Sequence, residues 1–160
     1  FLDSDDVWFN KKIEHQINFM IKNDLKCSHT SYEIIDEEGI VIGKRLARNF
    51  QNFKQLLKSC DIGLSTTIIE KSVFSEYCSF PDINTKEDFV LWLKILQKNF
   101  FFGGVDETLC YWRKSRHSLS SSILQKLKDG FYVYYKFMNY NIIKSLYLLL
   151  CLSLNYLRKK

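Results

Sequence analysis

At 160 residues, with 46% hydrophobic and 26% charged residues, one Pro and six Gly, the chain can build one domain with a real core, and disorder or low complexity is excluded. Its five cysteines, Cys27, Cys60, Cys78, Cys110 and Cys151, are odd in number and form no CxxC pair, which favours reduced, buried thiols in a cytosolic setting over a disulfide framework or a zinc site. Charge is uneven: residues 111–160 hold ten Lys/Arg against Asp129 alone, so with +5 overall the first 110 residues carry −4.

The chain opens on Phe1-Leu2-Asp3-Ser4-Asp5-Asp6, two apolar residues running into three carboxylates. If this is a strand reaching its tip, Asp3 and Asp5 share a face. Two carboxylates placed so can hold a hard cation such as Mg²⁺ or Mn²⁺, which neutralises phosphates. The alternative is an acidic turn that closes a strand and caps the next helix. Ile13, Ile17, Met20 and Ile21 recur at helical spacing and predict a helix over about Asn10–Asn23. Trp8 either packs the start of that helix or lines a pocket.

Cys27–Ile35 and Ile40–Leu46 read as strands around the turn Asp36-Glu37-Glu38-Gly39. Phe50–Leu57 reads as a short amphipathic helix. Gly63–Glu70, rich in β-branched residues, reads as a strand, followed by a helical turn to about Tyr77. Thr85 is placed to cap a helix with Glu87 and Asp88 in its first turn, where the helix dipole favours acids. Phe89, Trp92, Leu93 and Leu96 give that helix its apolar stripe. Phe100–Val105 and Thr108–Lys114 read as closing strands. Arg113, Lys114, Arg116 and His117 then crowd five positions.

Leu124–Tyr140 reads as an aromatic-rich helix. Ile142–Leu157 is strongly apolar. As a helix it would be about 24 Å long at ~1.5 Å per residue, short of the ~30 Å bilayer core. With Arg158-Lys159-Lys160 beside it, a helix lying in a membrane interface is expected; a buried core helix and a true span are the alternatives. No secretory signal pattern is visible.

The order and spacing of FLDSDDVW, SHTSYEIIDEEGIVIGK (28–44), DIGLSTTIIEK (61–71), KEDFVLWLKIL (86–96) and YWRKSRHSLS (111–120) resemble bacterial family 2 glycosyltransferases, of GT-A fold, from the DxD segment onward. The likeness covers roughly residues 1–120. It implies an α/β fold: the second half of a Rossmann-like, mixed-sheet GT-A domain over 1–120, then a helical, membrane-associating tail over 121–160. The chain opens without Met in what reads as a strand and has no Gly-rich phosphate loop. The C-terminal part of a longer enzyme, inactive alone, or the product of a broken reading frame is therefore expected.

The resemblance implies inverting, metal-dependent transfer of a sugar from a nucleotide-diphosphate-sugar donor to a glycan or lipid-linked acceptor in surface polysaccharide synthesis. On that pattern Asp3 and Asp5 hold Mn²⁺ or Mg²⁺ and the donor diphosphate, supported by Asp6. Asp88 is the base, with Glu87 beside it. Arg113 contacts phosphate, and Ser65, Thr66 and Trp92 lie on the acceptor side. Relatives carry His two places after the matching Arg; here that place is Ser115, and His117 follows two positions later. No nucleic-acid partner is expected. The expected location is the cytoplasm, peripheral on the inner face of a bacterial plasma membrane. The alternative is an inactive remnant, or a module that only binds a membrane or a partner.

Overall fold

The computed structural model describes residues 1–74, 78–115 and 122–158. His117, Arg116, Lys159, Lys160 and the expected helical turn's end at Tyr77 lie outside them. The fold is α/β, a mixed five-stranded sheet with a helical C-terminal region. Strands β1 (Val7–Trp8), β5 (Phe102–Arg113), β2 (Cys27–Ile35) and β3 (Val41–Arg45) follow one another across the sheet, and β4 (Ile68–Ile69) pairs with β2. The central pair β2 and β5 is parallel, and the remaining pairs are antiparallel. Parallel neighbours need a long crossover, and here the crossover carries α2 (Phe53–Leu56) and α3 (Glu87–Gln97).

Helix α3 is the spine of the core. Phe89–Leu93, Ile95 and Leu96 are all buried, so the helix is apolar nearly all round, as a helix sealed on every side must be. The Trp92 ring meets Phe102 of β5 edge-on at 5.4 Å. Helix α1 (Lys12–Lys22) lies against Gly103, where a Cβ would come 2.4 Å from Leu25 Cδ1 and 2.7 Å from Phe19 Cε1. At Gly104 a Cβ would come 2.6 Å from the Arg48 carbonyl carbon. The adjacent glycines thus let chain press on β5 from both faces.

The C-terminal helices share this core. Val133, Tyr134, Met138, Leu148 and Leu152 join the same apolar cluster as α3. Tyr134 Oη donates to the Leu57 carbonyl at 2.8 Å, and Asn155 Nδ2 to the Lys58 carbonyl at 2.9 Å. Helix α4 (Ile123–Tyr132) runs into a π-helical stretch, Val133–Phe137, and α5 (Ile142–Leu157) follows, capped by the Asn141 side chain.

Several local expectations are corrected. Residues 3–6 form a turn, closed by Asp6 N donating to the Asp3 carbonyl at 3.1 Å, so strand alternation does not place Asp3 and Asp5. Gly63–Glu70 is mostly not strand. Leu64–Thr66 is a 3₁₀ turn because the Thr66 and Thr67 hydroxyls donate to the Gly63 and Leu64 carbonyls at 2.6 and 2.8 Å, a local alternative to the ladder. Phe50 pairs with Phe102 as a β-bridge rather than starting a helix. The two expected closing strands are one, β5, with a register shift where Thr30 and Ser31 of β2 pass from Val105 to Thr108. Thr85 does not cap α3, because its hydroxyl donates to Asp129. On α1 the buried residues are Lys12, Gln16 and Met20, while Ile13, Ile17 and Ile21 face outward.

Candidate active site

The acidic tip is held at three points, and one of its anchors is itself held. Asp3 N donates to Ser65 Oγ at 3.0 Å. Asp6 Oδ1 accepts from the Arg113 backbone amide at 2.8 Å, which ties the tip to the end of β5. Arg113 Nε donates to the Asp5 carbonyl at 3.0 Å. Trp8 Nε1 donates to the Ser65 carbonyl at 2.6 Å, so the residue that anchors Asp3 is itself anchored to β1.

Behind this turn lies a buried polar network that sequence reasoning missed. Lys12, fully buried, stands over the Trp8 ring at 4.4 Å and donates to Gln16 Oε1 at 2.8 Å. Gln16 Nε2 donates to Ser28 Oγ and to the Thr66 carbonyl, each at 3.0 Å. Burial pulls the Lys12 pKa down to about 8. The missed signal was the four-residue spacing of Lys12, Gln16 and Met20, which marks a second face of α1 beside the isoleucines.

Asp88 enters the same region from the start of α3. Its Oδ1 accepts from the Phe89 amide at 2.6 Å. Burial, then the neighbouring Glu87 charge, push its pKa up to about 6, and Asp3 adds to the rise. The Asp3 charge thus reaches Asp88 although 85 positions separate them in the sequence. Tyr32 is raised by burial, with Asp88 among the charges acting on it. Asp3 is raised by partial burial and by Asp5. Asp6 is raised by burial and by both neighbouring aspartates, against the Ser65 hydroxyl and the Arg113 amide.

Asp3, Asp5, Asp6, Ser65 and Arg113 thus gather at one end of the sheet, and Asp88, next to Glu87 at the start of α3, is within reach of the Asp3 charge. Thr66 spends its hydroxyl on Gly63. Trp92 is fully buried, and its ring lies 6.1 Å from that of Phe1, which also packs on Phe74 and Phe80. The Arg113 guanidinium is committed largely to carbonyls, including those of Asp36 and Glu37 at 3.0 and 3.3 Å.

The donor set fits a divalent cation in chemistry: hard carboxylate oxygens, mutual repulsion between Asp3 and Asp5, and a buried Asp6 Oδ2 with no hydrogen-bond partner. Among the described residues no group of three or more His, Cys, Asp or Glu closes into a ready metal cluster. Any cation would have to be shared with the substrate's own oxygens, the usual habit of Mg²⁺.

No protein-family model matches the chain. It is similar over most of its length to bacterial glycosyltransferases. The UDP-Glc:alpha-D-GlcNAc-diphosphoundecaprenol beta-1,3-glucosyltransferase WfgD of Escherichia coli is 37% identical over 150 residues, 93% of this chain and 58% of that protein. TuaG of Bacillus subtilis (strain 168), assigned to teichuronic acid biosynthesis, is 29% identical over 161 residues, covering all of this chain and 64% of TuaG. The O-antigen biosynthesis glycosyltransferase WbnJ of Escherichia coli is 28% identical over 148 residues, 90% of this chain and 58% of WbnJ. The chain's relatives are therefore glycosyltransferases of bacterial polysaccharide and O-antigen biosynthesis, and it spans about six tenths of the length of these three.

Proposed function

We propose that the chain carries the metal and base side of an inverting, family 2, GT-A-fold glycosyltransferase site. The reaction is transfer of a sugar from a nucleotide-diphosphate-sugar to a glycan or lipid-linked acceptor. The observation that supports it best is the Asp3–Asp6 turn fixed to Ser65 and to the end of β5, with Asp88 near enough for the Asp3 charge to act on it. The names of the relatives favour a UDP-sugar donor and a diphosphoundecaprenol-linked acceptor.

In this reading Asp3 and Asp5 hold Mn²⁺ or Mg²⁺ together with the donor diphosphate. The cation supplies charge neutralisation of the departing diphosphate. Asp6, fixed on the Arg113 amide, keeps the turn from splaying. Asp88 accepts the proton of the acceptor hydroxyl as its oxygen bonds to the anomeric carbon. The bond from that carbon to the phosphate oxygen breaks on the opposite face, and the nucleoside diphosphate leaves with the electron pair. A pKa of about 6 leaves Asp88 ionised at pH 7 yet more basic than an ordinary carboxylate. Glu87 supports that basicity by its charge. Arg113 reaches phosphate with whatever part of its guanidinium the carbonyls leave. Ser65 and Thr66 form the acceptor-side turn, with Trp92 as its buried floor.

The C-terminal helix would bring the enzyme to the inner face of a bacterial plasma membrane, where a lipid-linked acceptor is concentrated. Among the described residues no helix is long and apolar enough to cross a membrane, so the association would be peripheral. The test is transfer from UDP-glucose to a GlcNAc-diphospho-lipid by the full-length protein, with and without Mn²⁺. Metal-stimulated transfer that Asp5→Ala abolishes is expected. Undiminished metal-stimulated turnover in Asp5→Ala would remove the metal site, and a protein that binds UDP without transferring would be a non-catalytic binding module.

A further inference from the structure

Asp129 of α4 is nine-tenths or more buried and has no cationic partner among the described residues. Its Oδ2 accepts from Thr85 N at 3.0 Å and from Thr85 Oγ1 at 2.8 Å. Gln125 Nε2 donates to both Asp129 oxygens at 2.9 Å. Every one of these neighbours is a donor, so the pocket demands a pure acceptor. A neutral amide would turn its own N–H groups toward at least one of them.

What the carboxylate grips is the doorway of α3. Thr85 is followed by Lys86, a non-glycine residue in the left-handed region at φ 67°. That conformation costs about 1–2 kcal/mol and persists only where the surroundings enforce it. Helix α3 has no side-chain cap of its own. The enforcement comes from Thr85, held at its amide and its hydroxyl by one carboxylate on an element 44 residues away. Gly130 next to Asp129 lies at this doorway and against α5: a Cβ there would be in ordinary contact with Lys86 Cε at 3.6 Å and tight against Leu149 Cδ1 at 2.9 Å. Asp88 follows two residues after the strained turn, and its carboxylate direction is set by where that turn launches the helix.

We infer that Asp129 is a positioning residue for Asp88, acting through Thr85, so that the C-terminal helices help set the geometry of the base. This rests on the reading of Asp88 as the base. It also makes α4 part of the machinery of transfer, whatever surface the outer face of the helices meets.

The test is steady-state transfer by the full-length protein with UDP-glucose, Mn²⁺ and a GlcNAc-diphospho-lipid, beside calorimetric binding of UDP. Asp129→Asn should lower kcat by about 10–100-fold, the range expected when a reacting group is displaced by about an ångström or less. KM for UDP-glucose and UDP affinity should stay within about twofold, because the acidic tip is untouched. The double variant Asp129→Asn with Gln125→Glu restores complementarity, since the new amide now faces a carboxylate; it should recover most of kcat. If Asp88→Asn is inactive while Asp129→Asn turns over normally, the positioning role is overturned and the base stands. If Asp129→Asn loses kcat, UDP binding and thermal stability together and the double variant restores none of them, Asp129 is merely structural and the inference is overturned. If Asp88→Asn keeps full kcat, the base reading fails, and this inference with it.

Discussion

The backbone amide of Asp3 donates to the hydroxyl of Ser65, 3.0 Å away and 62 residues on. A side chain in a 3₁₀ turn thus fixes the backbone of the acidic tip. The turn is rigid for its own reasons: Trp8 holds the Ser65 carbonyl and Gln16 holds that of Thr66. If the tip holds a cation as proposed, its affinity depends on this preorganisation, because carboxylates on a loose turn must be ordered before they can bind.

Ser65→Ala should therefore weaken Mn²⁺ binding by roughly tenfold, equivalent to about 1.4 kcal/mol. Global stability should fall by only about 1 kcal/mol, the usual net value of one hydrogen bond. Isothermal titration of Mn²⁺ in the presence of UDP reads the first, and thermal melting the second. A stability loss with unchanged Mn²⁺ affinity would confine Ser65 to a packing role.

Asp88→Asn separates activity from stability. If Asp88 is the base as proposed, its loss should lower kcat by about 10²–10⁴-fold with UDP binding retained. In the native protein kcat/KM should rise with pH through about 6, as Asp88 loses its proton. The stability effect runs the other way. A carboxyl raised from 3.8 to about 6 in the folded state binds its proton more tightly there than in the unfolded chain. Its favourable contribution is complete below pH 4 and is lost as pH rises through 6. The Asn variant, neutral throughout, should melt higher than the parent at pH 8, by roughly 1–2 kcal/mol after allowing for partial solvent access, and match it at pH 4. Equal melting at both values would mean that burial does not penalise the ionised side chain.

Gln16→Leu should be costly. The change strands the Thr66 carbonyl, removes a donor from Ser28 Oγ and takes from buried Lys12 its hydrogen-bond acceptor among the described residues. Each buried polar group left unpaired costs about 1–3 kcal/mol, so a loss of roughly 3 kcal/mol or more is expected in denaturant unfolding. A loss under 1 kcal/mol would show that water replaces the amide.

The elements that carried local signals were legible. The hairpin of β2 and β3 around Asp36–Gly39, the apolar helix after Glu87 and the apolar helix at Ile142–Leu157 all form near their expected bounds. The signals failed where a side chain answers to a distant partner. Thr85 has the sequence position of a cap, but Asp129 claims it from 44 residues away. Gly63–Glu70 has strand composition, but its own hydroxyls close a 3₁₀ turn. On α1 the isoleucine stripe gave the helix and concealed the polar face that turns inward. Its four-residue spacing was present in the sequence, but the distant partners it reaches, Ser28 and the Thr66 carbonyl, were not.

The outward face of α5 gives the last prediction. The inward face packs Leu148 and Leu152 into the core, so removing the whole helix would open the fold rather than test a surface. The outward face carries Ile143, Leu146, Leu150, Leu154 and Leu157 at helical spacing, with Ile143 82% and Leu150 58% exposed. Leu124 of α4 is 81% exposed and adds to the apolar surface of the C-terminal helices. Lys144 and Arg158 stand near the two ends of α5, and each basic group near an anionic surface adds ~1 kcal/mol. If these helices rest on a membrane, the double variant Ile143→Gln, Leu150→Gln should lose about 2 kcal/mol of binding, from partial burial of two aliphatic side chains, or roughly 30-fold in partitioning. Its fold should be unaffected, since both side chains are exposed. Co-sedimentation with vesicles containing anionic phosphatidylglycerol reads the difference, and raised salt should weaken the native protein's binding without abolishing it. Equal recovery of native and variant chains would remove the membrane role and leave the stripe to a protein partner.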